Sequence, residues 1–466
     1  MIVPEPVVPA PRLPAPQRNA LAAQADLAAW SAGLDWPSVP SSVQRRFGIV
    51  LADALGIAIV GGRLPERDAL VRAWRPSRGP ALLFGTSVHT TPESAAWLNG
   101  TALVSLELDE GNKYAAGHPA AHCFPAVLAL AADLDADGPT TAAALLAAYE
   151  VAARFGRATA LRPGMHPHGN WGFAGAAAGC ARLLGLSPEQ TSAAIDTAVG
   201  MPIAGPFVAA FDGNPVRNEW IGASNLAGIT SARLAASGIA HATGIAAATL
   251  GDVLGSFDPA QLVAELGTRW DVELGYFKRH SSCAFTHPAA DAALLVRADA
   301  GPAGVDGIGS VLVETFSAAA GLDRPHWDNR LGAMFSLPFV VATALRAGEV
   351  RPHRFGADEL IDPAVAALAA AVTVRASDEF DSALPDHRGA RVTVTLRDGR
   401  QVSASVADPI GDAAYRPFDE AALTELLDDL LDGPGSGARV CDVARALPSS
   451  TSVRSTLDQL AGFAAR

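Results

Sequence analysis

Through the first 270 residues, apolar side chains recur every three or four positions, which is the spacing of one buried face of an α-helix. Over residues 41–62 this pattern follows Ser41 and Gln44, which have the spacing of a capping box. Further helices are predicted over residues 140–154 and 173–184. Small side chains in the last of these let helix backbones approach closely, so we predict that it lies centrally.

The pattern changes near residue 275, after which apolar and polar positions begin to alternate as they do in strands. The predicted elements are strands over 309–316 and 371–375, a helix over 335–346, a hairpin over 391–406 and a helix over 418–431. Asp398-Gly399 is the predicted turn of the hairpin. This second region is therefore expected to be an α+β domain of roughly 130 residues, an ordinary domain size.

Composition supports a large folded core, because 49% of the 466 residues are hydrophobic and only 18% are charged. Abundant alanine favours helices. Residues 1–18 contain six prolines, which predict an extended, disordered arm before helical sequence begins near Asn19.

Charge and motifs exclude several classes of protein. A formal net charge of −13 argues against nucleic acid and anionic membranes as partners. The four cysteines lie far apart, so neither a zinc ribbon nor a disulfide scaffold is expected. Met1 leads into proline-rich sequence rather than a signal peptide, and Asp53 interrupts the best membrane candidate, so we expect a cytoplasmic protein. The chain has no glycine-rich fingerprint for a nicotinamide cofactor.

Four polar segments interrupt the apolar pattern: residues 106–125, 162–172, 211–220 and 275–288. The first combines three carboxylates with two histidines, a combination that suits proton transfer or metal binding, although a solvated surface loop is the plainer interpretation. The second enters a buried helix at its N-terminal end, where backbone N–H groups favour anions. In the third, Arg217 precedes a helix of small residues and could hold a carboxylate or equally pair with Glu219.

Together these segments resemble the MmgE/PrpD family, which includes 2-methylcitrate dehydratases, cis-aconitate decarboxylase and iminodisuccinate epimerase. The resemblance covers about residues 20–435. Its motifs are Glu107-Leu108-Asp109-Glu110 with His118-Pro119, then His166-Pro167 with Gly172, then Arg217 at the family's lysine position, and finally the basic segment Phe277–His287.

The resemblance implies a mainly α fold: a helical domain over 19–270, an α+β lid domain over 271–408, and C-terminal helices over 409–466 that return to the helical domain. It also implies a homodimer without metal or organic cofactor. The expected function is lyase chemistry on a small di- or tricarboxylic acid, by proton abstraction next to a carboxylate and most simply dehydration or hydration. Epimerisation, isomerisation, decarboxylation and a non-catalytic binding protein on the same fold remain alternatives.

Three positions depart from the family's pattern. Glu107 stands where the acidic motif usually begins with aspartate, Arg217 replaces lysine, and Cys283 stands where the decarboxylase has histidine. The tyrosine that closes the decarboxylase pocket has no clear match. These departures favour dehydration over decarboxylation and leave the substrate open.

Residue roles follow from the matched motifs, because removing water from a hydroxy acid requires a base, an acid and cations for the carboxylates. The predicted catalytic residues are Asp109, His118, His166 and His287, and the predicted substrate-binding residues are Glu107, Arg217, Lys278 and Cys283. Which histidine is the base stays open. A metal site formed by Asp109, His118 and His166 is the competing hypothesis, although no close ligand pair supports it.

Overall fold

The computed structural model describes residues 13–300, 305–431 and 433–464. Its first helix begins at Ala15, before the expected start near Asn19, so the proline-rich arm is shorter than predicted. Pro16 lies in the first turn, where the missing N–H of proline costs no helical hydrogen bond. Residues 1–12 of the predicted arm lie outside the described residues.

Helices dominate the described chain, and the predicted mainly α fold class is confirmed. The helices of eight or more residues are α1 Ala15–Gly33, α2 Ser41–Gly62, α3 Pro65–Trp74, α4 Pro92–Leu103, α5 Pro119–Leu134, α6 Gly138–Ala158, α7 Phe173–Leu183, α8 Pro188–Val199, α9 Val216–Ala236, α10 His287–Ala300, α11 Leu337–Ala347, α12 Pro363–Ala370, α13 Glu420–Leu430 and α14 Ser436–Ala446. Short α-helices span Val208–Phe211, Ala260–Val263, Ser317–Ala320, Arg330–Met334, Ala357–Leu360, Asp378–Asp381 and Val453–Asp458.

The predicted capping box at the start of α2 is wrong, although the helix itself is present. Pro40 occupies the N-cap position and no side chain caps the helix. The Gln44 amide donates instead to the carbonyl oxygen of Trp36, at 2.9 Å. Gln44 therefore bonds to the preceding turn and not to the backbone at the start of α2.

Within residues 13–300, 305–431 and 433–464, the strands form one four-stranded sheet and three short pairs. In chain order they are β1 Ala81–Leu82, β2 His89–Thr90, β3 Gly111–Asn112, β4 Thr159–Leu161, β5 Gly255–Phe257, β6 Gly275–Tyr276, β7 Ile308–Thr315, β8 Val372–Ala376, β9 Ala390–Leu396 and β10 Gln401–Val406. The sheet order is β10-β9-β7-β8, with β7 and β8 parallel and the other neighbours antiparallel. Gly399 has a φ of +87° in the turn between β9 and β10, which confirms the predicted hairpin.

Helix α7 lies in the centre of the helical core, as its small residues predict. Gly175 packs directly against the Ala148 carbonyl of α6, and Gly179 packs against Val127 of α5. A side chain at either glycine would meet these neighbours, so the close approach of three helices depends on glycine there. This tight core provides the rigid frame on which the polar segments are held.

Chain segments distant in sequence complete this frame. Leu427 of α13 packs on Gly56 of α2, and the Gly138 N–H donates to the carbonyl of Ser450 at 2.7 Å. Strand β3 pairs with β6 and thereby places the first polar segment beside the fourth. Within the described ranges, no single helix has the length and apolarity of a membrane span, and only the bent pair α2–α3 passes on length and composition.

Candidate active site

Side chains from all four polar segments surround one cavity of about 60 Å³. Glu107, His118, His166 and Arg217 line it from the helical part of the chain. The residues predicted as the lid line it with Tyr276, Cys283, Phe285, Phe335 and Arg388. The cavity therefore lies between the residues predicted as the helical domain and those predicted as the lid, a common location for ligand sites.

Two buried carboxylates and two buried cations form a connected cluster on the inner side of this cavity. Glu107 contacts Arg217 through one oxygen and Lys278 through the other, at 3.3 Å in the second case. Lys278 also lies 3.4 Å from an Asp109 oxygen. Although burial alone would lower the pKa of Lys278, the Asp109 and Glu107 carboxylates raise it above its ordinary value. Lys278 is therefore a fixed, fully buried positive charge.

Arg217 is enclosed by protein groups on nearly every side. Besides Glu107, its guanidinium donates to the Asn218 side chain at 3.0 Å and faces ring nitrogens of His166 and His168 at 3.3 and 3.4 Å. Glu219, the alternative partner considered from sequence, instead accepts from Trp97 and lies 3.4 Å from Arg67. Arg217 thus presents charge to the cavity with little hydrogen-bonding capacity left for a ligand.

His118 is held in one tautomer, and its other ring nitrogen has no hydrogen-bond partner in the part of the chain that the structure describes. Its Nδ1 lies 2.7 Å from the Glu110 carbonyl oxygen and 3.1 Å from an Asp109 carboxylate oxygen. Because both neighbours can only accept, Nδ1 carries the hydrogen and Nε2 is left with a lone pair. Burial lowers the pKa of His118 and Asp109 opposes that shift, so the ring is neutral near pH 7. Neutral His118 has the form that a general base requires.

Glu110 and Asp53 position the backbone that orients His118. The Glu110 N–H donates to Asp53 at 3.0 Å, and the Glu110 carboxylate accepts from the Ala120 N–H at 2.8 Å. Both acids are buried, and that burial raises their pKa values well above the ordinary range. Sequence reasoning treated Asp53 only as an interruption of an apolar stretch. Its contact across 57 positions of chain could not be seen in the local pattern.

His166 faces N–H donors at both ring nitrogens. The His168 backbone N–H donates to Nδ1 at 3.1 Å, and Arg217 Nε lies 3.3 Å from Nε2. A neutral imidazole has only one acceptor nitrogen, and a protonated ring would have none. Burial, followed by the charge of Arg217, lowers the pKa of His166 well below its ordinary value. This geometry favours His166 as a support for Arg217 over a role in proton transfer.

The structure separates His287 from this cavity but brings Cys283 to it. His287 lines an adjoining cavity of about 20 Å³, lies 3.2 Å from the Ser282 carbonyl, and has its pKa lowered by burial to about 3. Burial raises the pKa of the Cys283 thiol to about 11, so this group lines the site as a neutral thiol. Sequence reasoning also missed Arg388, because nothing in its local pattern distinguishes it from a surface arginine.

No group of three or more His, Cys, Asp or Glu side chains among the described residues is arranged to hold a metal ion. Asp109, His118 and His166 were the alternative metal ligands considered from sequence. His118 donates to Glu110 and Asp109, whereas His166 faces Arg217. That no metal or organic cofactor is required remains a prediction, which dialysis against EDTA tests.

His122 is a buried histidine whose lowered pKa should make the free energy of unfolding depend on pH. It is fully buried, packs on Trp171 and Gly172, and neither ring nitrogen has a hydrogen-bond partner among the described residues. Burial lowers its pKa from 6.5 to about 3. Stability linked to this ring is therefore present above pH 6.5 and is lost as the pH falls toward 3, because only the unfolded chain binds the proton.

We expect the wild-type protein to lose about 2 kcal/mol of unfolding free energy through His122 between pH 7 and pH 5. His122→Met removes the titrating group and should weaken this pH dependence by that amount in urea titrations. His241→Met, at an exposed histidine, is the matched control and should leave the pH dependence unchanged. Identical pH dependence in wild type and His122→Met would show that His122 does not resist protonation.

A buried neutral base beside fixed cations, enclosed between helical and α+β parts of the chain, can bind a small anion and move a proton. The chain matches the MmgE/PrpD N-terminal domain over residues 25–261 and the MmgE/PrpD C-terminal domain over residues 280–439. It belongs to the MmgE/PrpD family, and the resemblance predicted from its motifs is confirmed.

Two curated relatives span most of the chain. A cis-aconitate decarboxylase-like protein of Aspergillus oryzae is 27% identical over 423 residues, which cover 83% of this chain and 86% of that protein. A cis-aconitate decarboxylase of Aspergillus terreus is 25% identical over 425 residues, covering 83% of this chain and 85% of that protein. The second name describes a decarboxylase of a small carboxylic acid, and the first describes a protein that resembles one.

Proposed function

We propose that this protein is a cofactor-independent lyase that adds or removes water on a small hydroxy acid with two or three carboxylates. The observation that carries the proposal is the state of His118, which lines the cavity, has its Nδ1–H fixed by Glu110 and has no hydrogen-bond partner at Nε2 among the described residues. The family and the names of its relatives support a lyase of a small carboxylic acid.

Proton abstraction by His118 fits the charges of the site. In the reaction, His118 Nε2 takes the proton from the carbon next to a substrate carboxylate, and negative charge moves onto that carboxylate. Arg217 and Lys278 lie where they stabilise this charge, and both are held before substrate arrives by Glu107. Fixed dipoles and charges of this kind need no reorganisation as the charge develops.

One imidazole can serve both proton steps. After abstraction, His118 carries the proton, and loss of the hydroxyl group from the neighbouring carbon needs a proton to leave as water. Two carboxylates raise the pKa of Lys278, and burial and Arg217 keep His166 unprotonated, so both are poor proton donors. Burial raises the pKa of Tyr276 to about 12, which makes it a poor donor too. We therefore assign both transfers to His118, which requires the proton and the hydroxyl group to lie on the same face of the substrate.

Decarboxylation is the second candidate, because the curated relatives carry that name. The same base and cations would stabilise the carbanion left by departing CO₂ and return a proton to it. Cys283, a neutral thiol where the decarboxylase pattern has histidine, weighs against this reaction. The homodimer and the cytoplasmic location remain predictions from the sequence.

Proton NMR in D₂O with a panel of hydroxy and unsaturated di- and tricarboxylic acids tests the proposal. We expect deuterium to enter the carbon next to a carboxylate and vinyl proton signals to appear from one hydroxy acid. Loss of CO₂ from an unsaturated acid would select the second candidate. Activity should survive exhaustive dialysis against EDTA, and a requirement for added metal or nucleotide would overturn the mechanism. No change in any acid, with the protein folded, would point to a binding protein.

A further inference from the structure

The charges on the inner wall of the cavity and directly behind it already balance one another. Arg217 and Lys278 supply two positive charges, and Glu107 and Asp109 supply two negative charges in direct contact with them. Opposing charges lower the pKa of Asp109 despite its burial, so this acid stays ionised. With His118 neutral, this wall carries no net charge to offset a substrate with two carboxylates.

Arg388 supplies the missing charge from another part of the cavity lining. It lines the same cavity, and no carboxylate lies within 4.0 Å of its guanidinium among the described residues. One N–H donates to the Lys113 carbonyl at 3.1 Å. The rings of Tyr276 and Phe285 lie 5.9 and 5.5 Å from the guanidinium carbon and hold it without neutralising it. Several donors of Arg388 therefore remain for a ligand.

Arg217 and Arg388 lie on different parts of the chain. Arg217 lies in the first turn of helix α9, whereas Arg388 precedes strand β9 of the four-stranded sheet. A ligand with a carboxylate at each end can place one near Arg217 and the other near Arg388. A ligand with one carboxylate can contact only one of them.

We infer that Arg388 binds the second carboxylate of the substrate and thereby selects di- and tricarboxylic acids over monocarboxylic acids. This inference rests on the proposed function and deepens it, because it assigns one end of the substrate to the sheet side of the cavity. Arginine suits the task since its planar fork can hold both oxygens of one carboxylate.

Calorimetric titration with succinate and glutarate, and with butyrate and pentanoate as matched monocarboxylic acids, tests Arg388. Wild type should bind at least one dicarboxylate more tightly than the monocarboxylate of the same length. Arg388→Met should weaken that dicarboxylate by about 10- to 150-fold, the range for losing a hydrogen bond to a charged group. Binding of the monocarboxylates should change less than threefold.

Two further variants separate binding from folding. Arg388→Lys should recover part of the loss, because an ammonium keeps the charge without the fork. Arg400→Met removes an exposed arginine from the neighbouring hairpin and should leave all four affinities unchanged. Equal dicarboxylate binding by wild type and Arg388→Met would overturn the inference while leaving the proposed function intact. A wild-type protein that neither binds these acids nor converts any acid in the NMR panel would overturn both.

Discussion

Replacing His118 with asparagine is expected to lower kcat by about 10²- to 10⁴-fold, the usual contribution of a general acid or base. The asparagine amide can still donate to the Glu110 carbonyl, which preserves the contact made by Nδ1. It has no equivalent of Nε2, so proton abstraction is lost while the loop keeps its anchor. Steady-state kinetics on the acid identified by NMR, with circular dichroism at matched concentration, measures the effect.

His166→Asn is the control variant for His118→Asn. If His166 supports Arg217 and transfers no proton, its replacement should raise KM more than it lowers kcat. Both histidines are buried and both pack against the His168 ring, so a general loss of packing would affect both variants. Near-normal turnover by His118→Asn would remove His118 from the proton-transfer step.

The pH profile provides an independent readout of the same assignment. Because burial lowers the pKa of His118, the base should stay neutral and active below pH 6.5. The value of kcat/KM is then expected to be flat near neutrality and to fall only as the pH drops through this lowered pKa. An acidic limb centred above pH 6.5 would mean that a different group, or a protonated histidine, limits the reaction.

The sequence predicted several of the helices and strands because their signals are local. Apolar spacing placed α2, α6 and α7, and the Asp398-Gly399 turn placed the hairpin within a few residues of its observed bounds. The capping box was wrong because Pro40 occupies the N-cap position and the Gln44 amide donates to the Trp36 carbonyl in the preceding turn. A local sequence pattern shows which hydrogen bonds a side chain could make, but the tertiary structure determines which one it does make.

The site was only partly predictable for the same reason. Motifs identified Glu107, His118 and Arg217, and these side chains do meet. The partners that decide their chemistry come from far along the chain: Asp53 through the Glu110 backbone, and Arg388 from the sheet. Neither has a local signature, since one lies in an apolar helix and the other resembles a surface arginine.

Arg217→Met is expected to destabilise the fold by about 3–5 kcal/mol in addition to abolishing most turnover, because it leaves a buried carboxylate without its main partner. Glu107 and Arg217 are each only 1% exposed. Glu107 has a φ of +51°, a conformation that a non-glycine residue adopts at some cost, and its contacts with two cations help to hold it there. From sequence alone Arg217 was a substrate anchor, whereas the structure makes it part of the folded frame as well.

The double variant Arg217→Met/Glu107→Gln separates these two roles. Removing both charges leaves no uncompensated carboxylate at position 107, so urea titration should show much of the lost stability recovered. Turnover should stay low in the double variant, since the charge that stabilises the reacting carboxylate is still missing. Arg217→Lys should retain more stability than Arg217→Met, because an ammonium can still neutralise Glu107. If the single and double variants were equally unstable, the loss would come from packing around the arginine stem. The buried charge of Glu107 would then not be the reason that this chain needs a cation at position 217.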